Sequence, residues 1–299
     1  MLKMTSKPKT LVVHKRSLLE EMRANNDDVD QLLAQGDESV SKLVPSHERH
    51  RKSLDTVCNV LDGLGWPMDV RYRGDVESVE GYELILTVGG DGTVLDVSHK
   101  LTNGTPLLGV NSDPVSSVGY FCATTAKGIE DALTGVLTGE VTALALSRFQ
   151  ISINGQVIGL PVLNDILITD RNAAATSKYI LKVSSHVEAH RSSGIWVSTP
   201  AGSTAAIRSA GGIVLPLGSR LLQYMVREPC LPPRGRYNLL GGVQPIEAGL
   251  SLVSRMQTGG VFLDGPHASF DLNFGDRVEV LDTASPLVLL GVNEEKRFA

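Results

Sequence analysis

Residues 83–96 read ELILTVGGDGTVLD. Leu84, Ile85, Leu86 and Val88 form a short apolar run with the length of a buried strand. It passes straight into Gly89-Gly90-Asp91-Gly92, a turn made almost wholly of glycine around one carboxylate. A helix is expected over 93–101. In open parallel sheets, ligands collect at the carboxyl ends of strands, and this loop occupies such an end. Glycine lets backbone approach a phosphate closely, and a helix start favours negative charge. An aspartate is then out of place unless it has work of its own. It can hold magnesium, accept a proton from a hydroxyl about to be phosphorylated, or simply cap the helix.

The strands and helices around this loop set its frame. Leu11-Val12-Val13 reads as a first strand and a polar helix follows near 17–24. Residues 25–45 are polar and aperiodic, and a mobile loop is expected there. Leu54, Val57, Cys58, Leu61 and Leu64 keep helical spacing, and Met68, Val70 and Tyr72 alternate as a strand. A strand over 106–110 and a helix carrying Ile129, Leu133, Val136 and Leu137 complete the series. This alternation predicts an α/β N-terminal domain over residues 1–140 with an open, mostly parallel sheet.

Beyond residue 140 the rhythm changes. Phe149, Ile151 and Ile153 lead into Asn154-Gly155, a strong hairpin signal. Short strands are expected at 161–169, 178–184, 195–198, 250–254, 260–263, 277–281 and 286–291, with helices at 203–211 and near 217–226. Residues 141–299 therefore read as a β-rich C-terminal domain with a helical insertion. A chain of 299 residues favours two domains on length alone.

Composition limits the classes of function. Apolar residues make up 42% and charged residues 20%, enough for sizeable cores. A net charge of −5 gives no bulk attraction to nucleic acid or to an anionic membrane. Cys58, Cys122 and Cys230 are widely separated and read as reduced core thiols, with no metal-ligand spacing. No stretch is long and apolar enough for a membrane span and the N-terminus lacks a signal core, so a cytoplasmic setting is expected.

A second constellation lies at 191–212, RSSGIWVSTPAGSTAAIRSAGG. Ser198-Thr199-Pro200 leaves a strand, Gly202 turns, and Ser203 or Thr204 opens a helix of small residues. Small side chains admit a ligand close to the backbone, while hydroxyls and N–H groups supply hydrogen bonds. The alternative is an ordinary capped helix.

Taken in order, these segments resemble the NAD kinase family. Gly89-Gly90-Asp91-Gly92 and Ser198-Thr199-Pro200-Ala201-Gly202-Ser203-Thr204-Ala205 stand about 107 residues apart, with Asn164-Asp165 between them. Leu108-Gly109-Val110-Asn111, Gly119-Tyr120-Phe121, Phe262-Leu263-Asp264-Gly265 and Phe274-Gly275-Asp276-Arg277-Val278 extend the likeness over most of 80–290. Asn111-Ser112-Asp113-Pro114, Ala201–Ala206 and Gln223–Pro229 look like the NADH kinase branch known from plants. The resemblance implies a two-domain kinase that moves the γ-phosphate of ATP, accompanied by Mg2+, onto the adenosine 2′-hydroxyl of NAD or NADH. It also implies a homodimer or homotetramer.

Carried over on that resemblance, Asp91 is the proton acceptor, and Gly90 and Gly92 keep the backbone close to the phosphates. Asn111 and Tyr120 belong to the segment beside the adenine, with Tyr120 a stacking partner. Asn164 and Asp165 hold the ribose on the nicotinamide side, and Thr204, Ala205 and Ser209 line the dinucleotide pocket near the adenine. Arg191 matches an arginine that precedes the family's second acidic position. At that acidic position this chain has Ser193, before Gly194, and Ala206 replaces a common tyrosine. Both departures imply altered selectivity between NAD and NADH. A lipid kinase of the diacylglycerol or sphingosine type and a noncatalytic dinucleotide sensor are the competing readings.

Other polar residues are expected to be structural. His186 and His190 read as a surface pair, His267 as an exposed loop residue, and Asp96 as a capping or solvent-facing residue. Trp196 is expected in the core, and Arg227-Glu228 as a surface pair.

Overall fold

The computed structural model describes residue 4 and residues 6–25, 28–232, 235–266, 268–283 and 285–298; His267 lies outside the described residues. The chain divides into two compact units. One runs through Leu144 and takes back Val288–Lys296; the other holds Ala145–Leu287, Arg297 and Phe298.

The first unit contains β1 (Thr10–His14), α1 (Leu18–Ala24), α2 (Val29–Gln35), α3 (Leu43–Gly63), β2 (Met68–Tyr72), β3 (Leu84–Gly89), α4 (Asp91–Ser98), β4 (Leu107–Asn111), β5 (Cys122–Thr125), α5 (Ile129–Thr138) and β6 (Ala143–Leu146). β2, β1, β3 and β4 are parallel neighbours in that order, and β5 also pairs with β4. β3 is buried at every position, the mark of a strand covered on both faces. Leu54, Val57 and Leu61 of α3 pack with Leu84, Leu86 and Val88 of β3 in one core. The register sets His14 beside both Tyr72 and Val88, and Gly89 beside Asn111. The residues just past β1, β2, β3 and β4 therefore emerge along one edge of the sheet.

The second unit carries β7 (Phe149–Ile153), β8 (Gln156–Val162), β9 (Asp165–Asp170), β10 (Ser177–Val183), β11 (His186–Ser192), β12 (Ile195–Ser198), α6 (Ala206–Ser209), β13 (Leu221–Val226), β14 (Gly241–Pro245), β15 (Leu250–Ser254), β16 (Gly259–Leu263), β17 (Ala268–Leu272) and β18 (Arg277–Asp282). They form two antiparallel six-stranded sheets, ordered β11-β10-β15-β18-β7-β8 and β14-β13-β12-β9-β16-β17. Phe149, Ile151, Ile166, Ile168, Leu181, Val197 and Leu252 belong to their shared core. The hairpin at Asn154-Gly155 has φ of 53° and 80°, the primed turn that two-residue hairpins favour. A last strand, β19 (Leu287–Leu290), joins the first sheet between β4 and β6.

Several expectations are corrected. In the segment expected to be a mobile loop, α2 and the start of α3 are helical, and Leu19, Val29 and Val40 make a small core of their own. Val29, Leu32 and Leu33 do keep helical spacing, but over one turn among polar neighbours that masks the pattern. The helix expected near 217–226 is instead strand β13, whose Leu222, Tyr224 and Val226 alternate inward between β12 and β14. The helix expected at 203–211 shrinks to a 3-10 turn at Ala201–Thr204 followed by the four-residue α6. Strands β5, β11, β14 and β17 add to those expected from the sequence. Of the cysteines, Cys122 is buried, Cys58 half-buried and Cys230 exposed.

Candidate active site

Gly90 is the N-cap of α4 and Asp91 its first residue, so Asp91 does not cap the helix with its side chain. Its carboxylate reaches a neighbouring loop instead: Oδ2 accepts the Tyr120 N–H at 3.0 Å and Oδ1 the Phe121 N–H at 2.8 Å. Burial pushes its pKa up, against the two N–H donors and the Lys296 ammonium, which favour the charged form. Lys296 is anchored close by through a hydrogen bond to the Cys122 carbonyl at 3.2 Å.

The glycines have different reasons to be glycine. A Cβ on Gly89 would overlap the Thr93 side chain inside α4, so that position is set by packing. A Cβ on Gly90 would stand 3.2 Å from Ser117 Oγ, narrowing a cavity of about 400 Å3 lined by Gly89–Thr93, Asn111–Asp113 and Ser117. Asn111 is buried and spends its amide locally, donating to Ser117 O at 2.9 Å and accepting from Asp113 N at 3.1 Å. It shapes this loop. Tyr120 is half-buried beside it. Asp113 is fixed from α3, with Arg49 Nε at 2.5 Å and Ser46 Oγ at 2.7 Å, and these partners hold its pKa down to about 2 despite desolvation.

The second unit builds its own constellation. Asp264, at φ 51° in the turn after β16, accepts the backbone N–H groups of Leu163 (3.0 Å), Asn164 (2.6 Å) and Asp165 (3.1 Å). One buried carboxylate thus orders the Asn-Asp pair from about 100 residues away. Burial first, then the neighbouring Asp264, push the Asp165 carboxyl up to about 7. The Asn164 carbonyl accepts the Thr199 N–H at 3.1 Å, and a Cβ on Gly202 would overlap that same carbonyl. Gly202 is therefore required where the two motifs touch.

In the Ser-Thr-Pro-Ala-Gly-Ser-Thr loop, Ser203 is spent on structure. Its hydroxyl donates to Pro200 O at 2.7 Å and accepts from Leu215 N at 2.8 Å and Arg297 at 2.9 Å. Thr204 and Ala205 are half-buried and Ser209 is exposed. Arg297 is buried and also donates to the Pro200, Ala201 and Leu215 carbonyls, tying the loop to the chain terminus. Arg191 and Ser193 precede β12, at the opposite end of that strand from the Ser-Thr-Pro loop. Arg191 is exposed and lines a cavity of about 1110 Å3 with Lys178, Tyr237 and Arg255. Ser193 is half-buried, and its carbonyl accepts the Thr169 hydroxyl at 3.0 Å. Sequence reasoning missed Asp264, Arg297 and Lys296 as site-building residues. Asp264-Gly265 carries a turn signal that marks the place, whereas nothing local distinguishes Lys296 or Arg297.

The residues expected to be structural divide. His190 is 2% exposed, against the surface role expected of it; it stacks between Tyr179 (5.5 Å) and Tyr237 (4.6 Å), with Nε2 at 3.1 Å from Glu188. His186 is exposed, as expected. Asp96 lies 3.9 Å from Arg73, Trp196 is only half-buried under the Arg227 guanidinium, and Arg227 and Glu228 form a loose pair at 3.9 Å. No helix among the described residues is long and apolar enough to cross a membrane.

A parallel sheet with a glycine-rich loop and a half-buried carboxylate at its carboxyl edge, joined in sequence to a β-rich antiparallel unit, is an α/β architecture with a candidate phosphate site at the strand ends. The family model described as ATP-NAD kinase N-terminal domain matches residues 13–141. A rice protein (Oryza sativa subsp. japonica) named "Probable NADH kinase" is 34% identical over 264 residues, 81% of each chain. The NADH kinase of Arabidopsis thaliana is 34% identical over 70% of this chain and 73% of its own. The chain belongs to the NAD kinase family and is a phosphotransferase. Its fold matches a crystal structure of an Archaeoglobus fulgidus NAD kinase in complex with ATP, at a TM-score of 0.66 and 21% identity over 97% of this chain and 95% of that one. It also matches yeast NADH kinase complexed with NADH, at 0.71 and 14% over 99% and 89%.

Proposed function

We propose that this chain transfers the γ-phosphoryl group of ATP to the adenosine 2′-hydroxyl of NAD or NADH, giving NADP or NADPH. The observation that carries the reading is Asp91: a half-buried carboxylate held by two backbone N–H groups at the sheet's carboxyl edge, next to Gly90, where a Cβ would narrow the cavity. The ribose oxygen forms the new bond to phosphorus as the bond from phosphorus to the bridging oxygen breaks and ADP leaves. An ordinary carboxylate pKa near 3.9 is far below that of an alcohol, so Asp91 takes the proton during transfer, not before it. Burial raises its basicity, which favours that role. Asn164 and Asp165 are assigned to the ribose on the nicotinamide side, Thr204, Ala205 and Ser209 to the adenine side, and Tyr120 to stacking. Arg191 is assigned to the dinucleotide.

Magnesium is part of the donor in this reading, arriving with ATP and offsetting phosphate charge. Among the described residues, no group of three or more His, Cys, Asp or Glu side chains is placed to hold a metal ion. Ser193 and Ala206, which depart from the family pattern that the resemblance implies, are assigned to selectivity: loss of a carboxylate suits the neutral reduced nicotinamide better than the cationic oxidised one. A cytoplasmic homodimer or homotetramer belongs to the same reading, with light scattering to check its mass.

The test is product formation from ATP and magnesium with NAD and NADH offered separately. Faster turnover of NADH supports the whole reading. Equal or NAD-favoured turnover keeps the kinase and removes the selectivity argument. Tight dinucleotide binding without turnover of either makes the chain a sensor.

A further inference from the structure

The cavity at the glycine loop has a second wall that the roles assigned so far leave unused. Lys15 and Arg16 follow β1, and Arg73 follows β2. The parallel register brings all three to the edge where Gly89–Gly92 leaves β3. They line the same cavity of about 400 Å3 as Gly90, Asp91 and Ser117. Three cations here, in a chain with a net charge of −5, need an explanation.

The cavity's acidic side chains do not neutralise them all. Asp113 is consumed by Arg49 and Ser46. Glu21 stands 3.5 Å from Arg73, and Asp96 3.9 Å from the same guanidinium, loose contacts that hold the fork without saturating it. Lys15 is half-buried and forms no ion pair among the described residues. Arg16 is exposed, and its guanidinium is steered over the Tyr72 ring at 4.2 Å. That contact orients the planar donor face without using its N–H groups. Asp91 is the remaining anion, and it would repel an incoming phosphoryl group unless nearby cations offset it.

We propose that Lys15, Arg16 and Arg73 bind the polyphosphate of the donor nucleotide, gripping from the β1 and β2 side a chain of phosphates that the glycine loop meets from the β3 side. The inference rests on the kinase reading above and adds to it the residues that hold the donor. Lys15 and Arg16 are paired by no carboxylate among the described residues, and the more highly charged triphosphate draws on them more strongly than the two singly charged phosphates of a dinucleotide do. The three cations come from segments about 58 residues apart in sequence, and they meet only because β1 and β2 are parallel neighbours.

The experiment compares wild type with Lys15→Gln, Arg16→Gln, the double variant and Arg73→Gln, and with Arg23→Ala as a control. Arg23 is also on the α1 side but spends its charge on Asp30 at 2.7 Å. Two readouts are taken: KM for MgATP against KM for NADH, and calorimetric binding of inorganic tripolyphosphate, which needs no turnover. Loss of charge-assisted contacts is expected to raise the KM for MgATP about tenfold or more in the double variant and to weaken tripolyphosphate in parallel. KM for NADH and thermal stability stay near wild type, as does Arg23→Ala throughout. If the double variant does not fold, the single variants carry the same comparison. An unchanged KM for MgATP with unchanged tripolyphosphate binding overturns the inference, and so does a rise confined to the KM for NADH. If wild type phosphorylates neither dinucleotide yet binds tripolyphosphate through Lys15 and Arg16, the donor site stands and the kinase reading falls.

Discussion

Replacing Asp91 by Asn separates two jobs that the structure gives one side chain. Each carboxylate oxygen accepts a backbone N–H, from Tyr120 at 3.0 Å and Phe121 at 2.8 Å. An amide has only one acceptor oxygen, so in Asp91→Asn one N–H must face an NH2 group. Phe121 is 3% exposed, which leaves little water to rescue its donor. Leaving a buried donor unsatisfied costs roughly 1–3 kcal/mol, so the variant is expected to lose about that much stability while remaining folded. Removing a positioned general base costs typically about 10²–10⁴ in rate. The assay pairs urea unfolding with phosphoryl transfer at saturating MgATP and dinucleotide, run where the variant is fully folded. Amide hydrogen exchange at Tyr120 and Phe121 supplies a local readout and is expected to quicken. Turnover within threefold of wild type refutes the base role; unchanged stability with unchanged exchange refutes the clamp. The wild-type rate is further expected to fall on acidification above the ordinary carboxylate range, since burial raises the Asp91 pKa and the base must be ionised.

Three more outcomes are expected. Asp165 moves from the ordinary 3.8 to about 7 in the fold, a difference of about 4 kcal/mol at most. Its folded pKa is raised, so the protonated form favours folding, and the penalty grows as pH climbs from about 4 to about 7. Asp165→Asn should lack that penalty and unfold at higher urea than wild type at pH 8, with the gap closing near pH 4; a gap that does not vary with pH refutes the burial argument. Gly202→Ala should cost at least about 2 kcal/mol, because its Cβ meets the Asn164 backbone carbonyl and not a movable side chain; a wild-type melting temperature contradicts this. Arg297→Met should cost about 3 kcal/mol or more, since it strips a charged donor from the Pro200, Ala201 and Leu215 carbonyls, and dinucleotide affinity, measured by titration, should fall with it.

Much of this fold could be read in advance where structure follows local pattern. The run from Leu84 to Val88, its glycine turn and the helix after it are fixed by apolar content and backbone freedom within a dozen residues. The Asn154-Gly155 hairpin is equally local. Reading failed where pairing overrode local appearance. β13 looks helical in isolation and becomes a strand because β12 and β14 flank it. In residues 29–40 Val29, Leu32 and Leu33 keep helical spacing over a single turn only, which polar neighbours mask, and Val29 and Val40 find a shared partner in Leu19. His190 reads as a surface histidine until Tyr179 and Tyr237 close over its faces.

The sequence by itself determined the glycine loop, the acidic residue within it, the Asn-Asp pair and the small-residue loop, together with the family to which their order points. These features are set by residue type: glycine for close backbone approach, carboxylate for a charge, hydroxyl for a hydrogen bond. Only the tertiary structure decided what each group is tied to. It gave Asp91 two N–H groups from 29 and 30 residues on, set Asp264 under Asn164 from 100 residues away, and brought Lys15, Arg16 and Arg73 to one cavity edge. Hydrogen bonds and charges act through space over a few ångströms, and the distance along the chain between such partners is fixed by strand order, which no local stretch encodes.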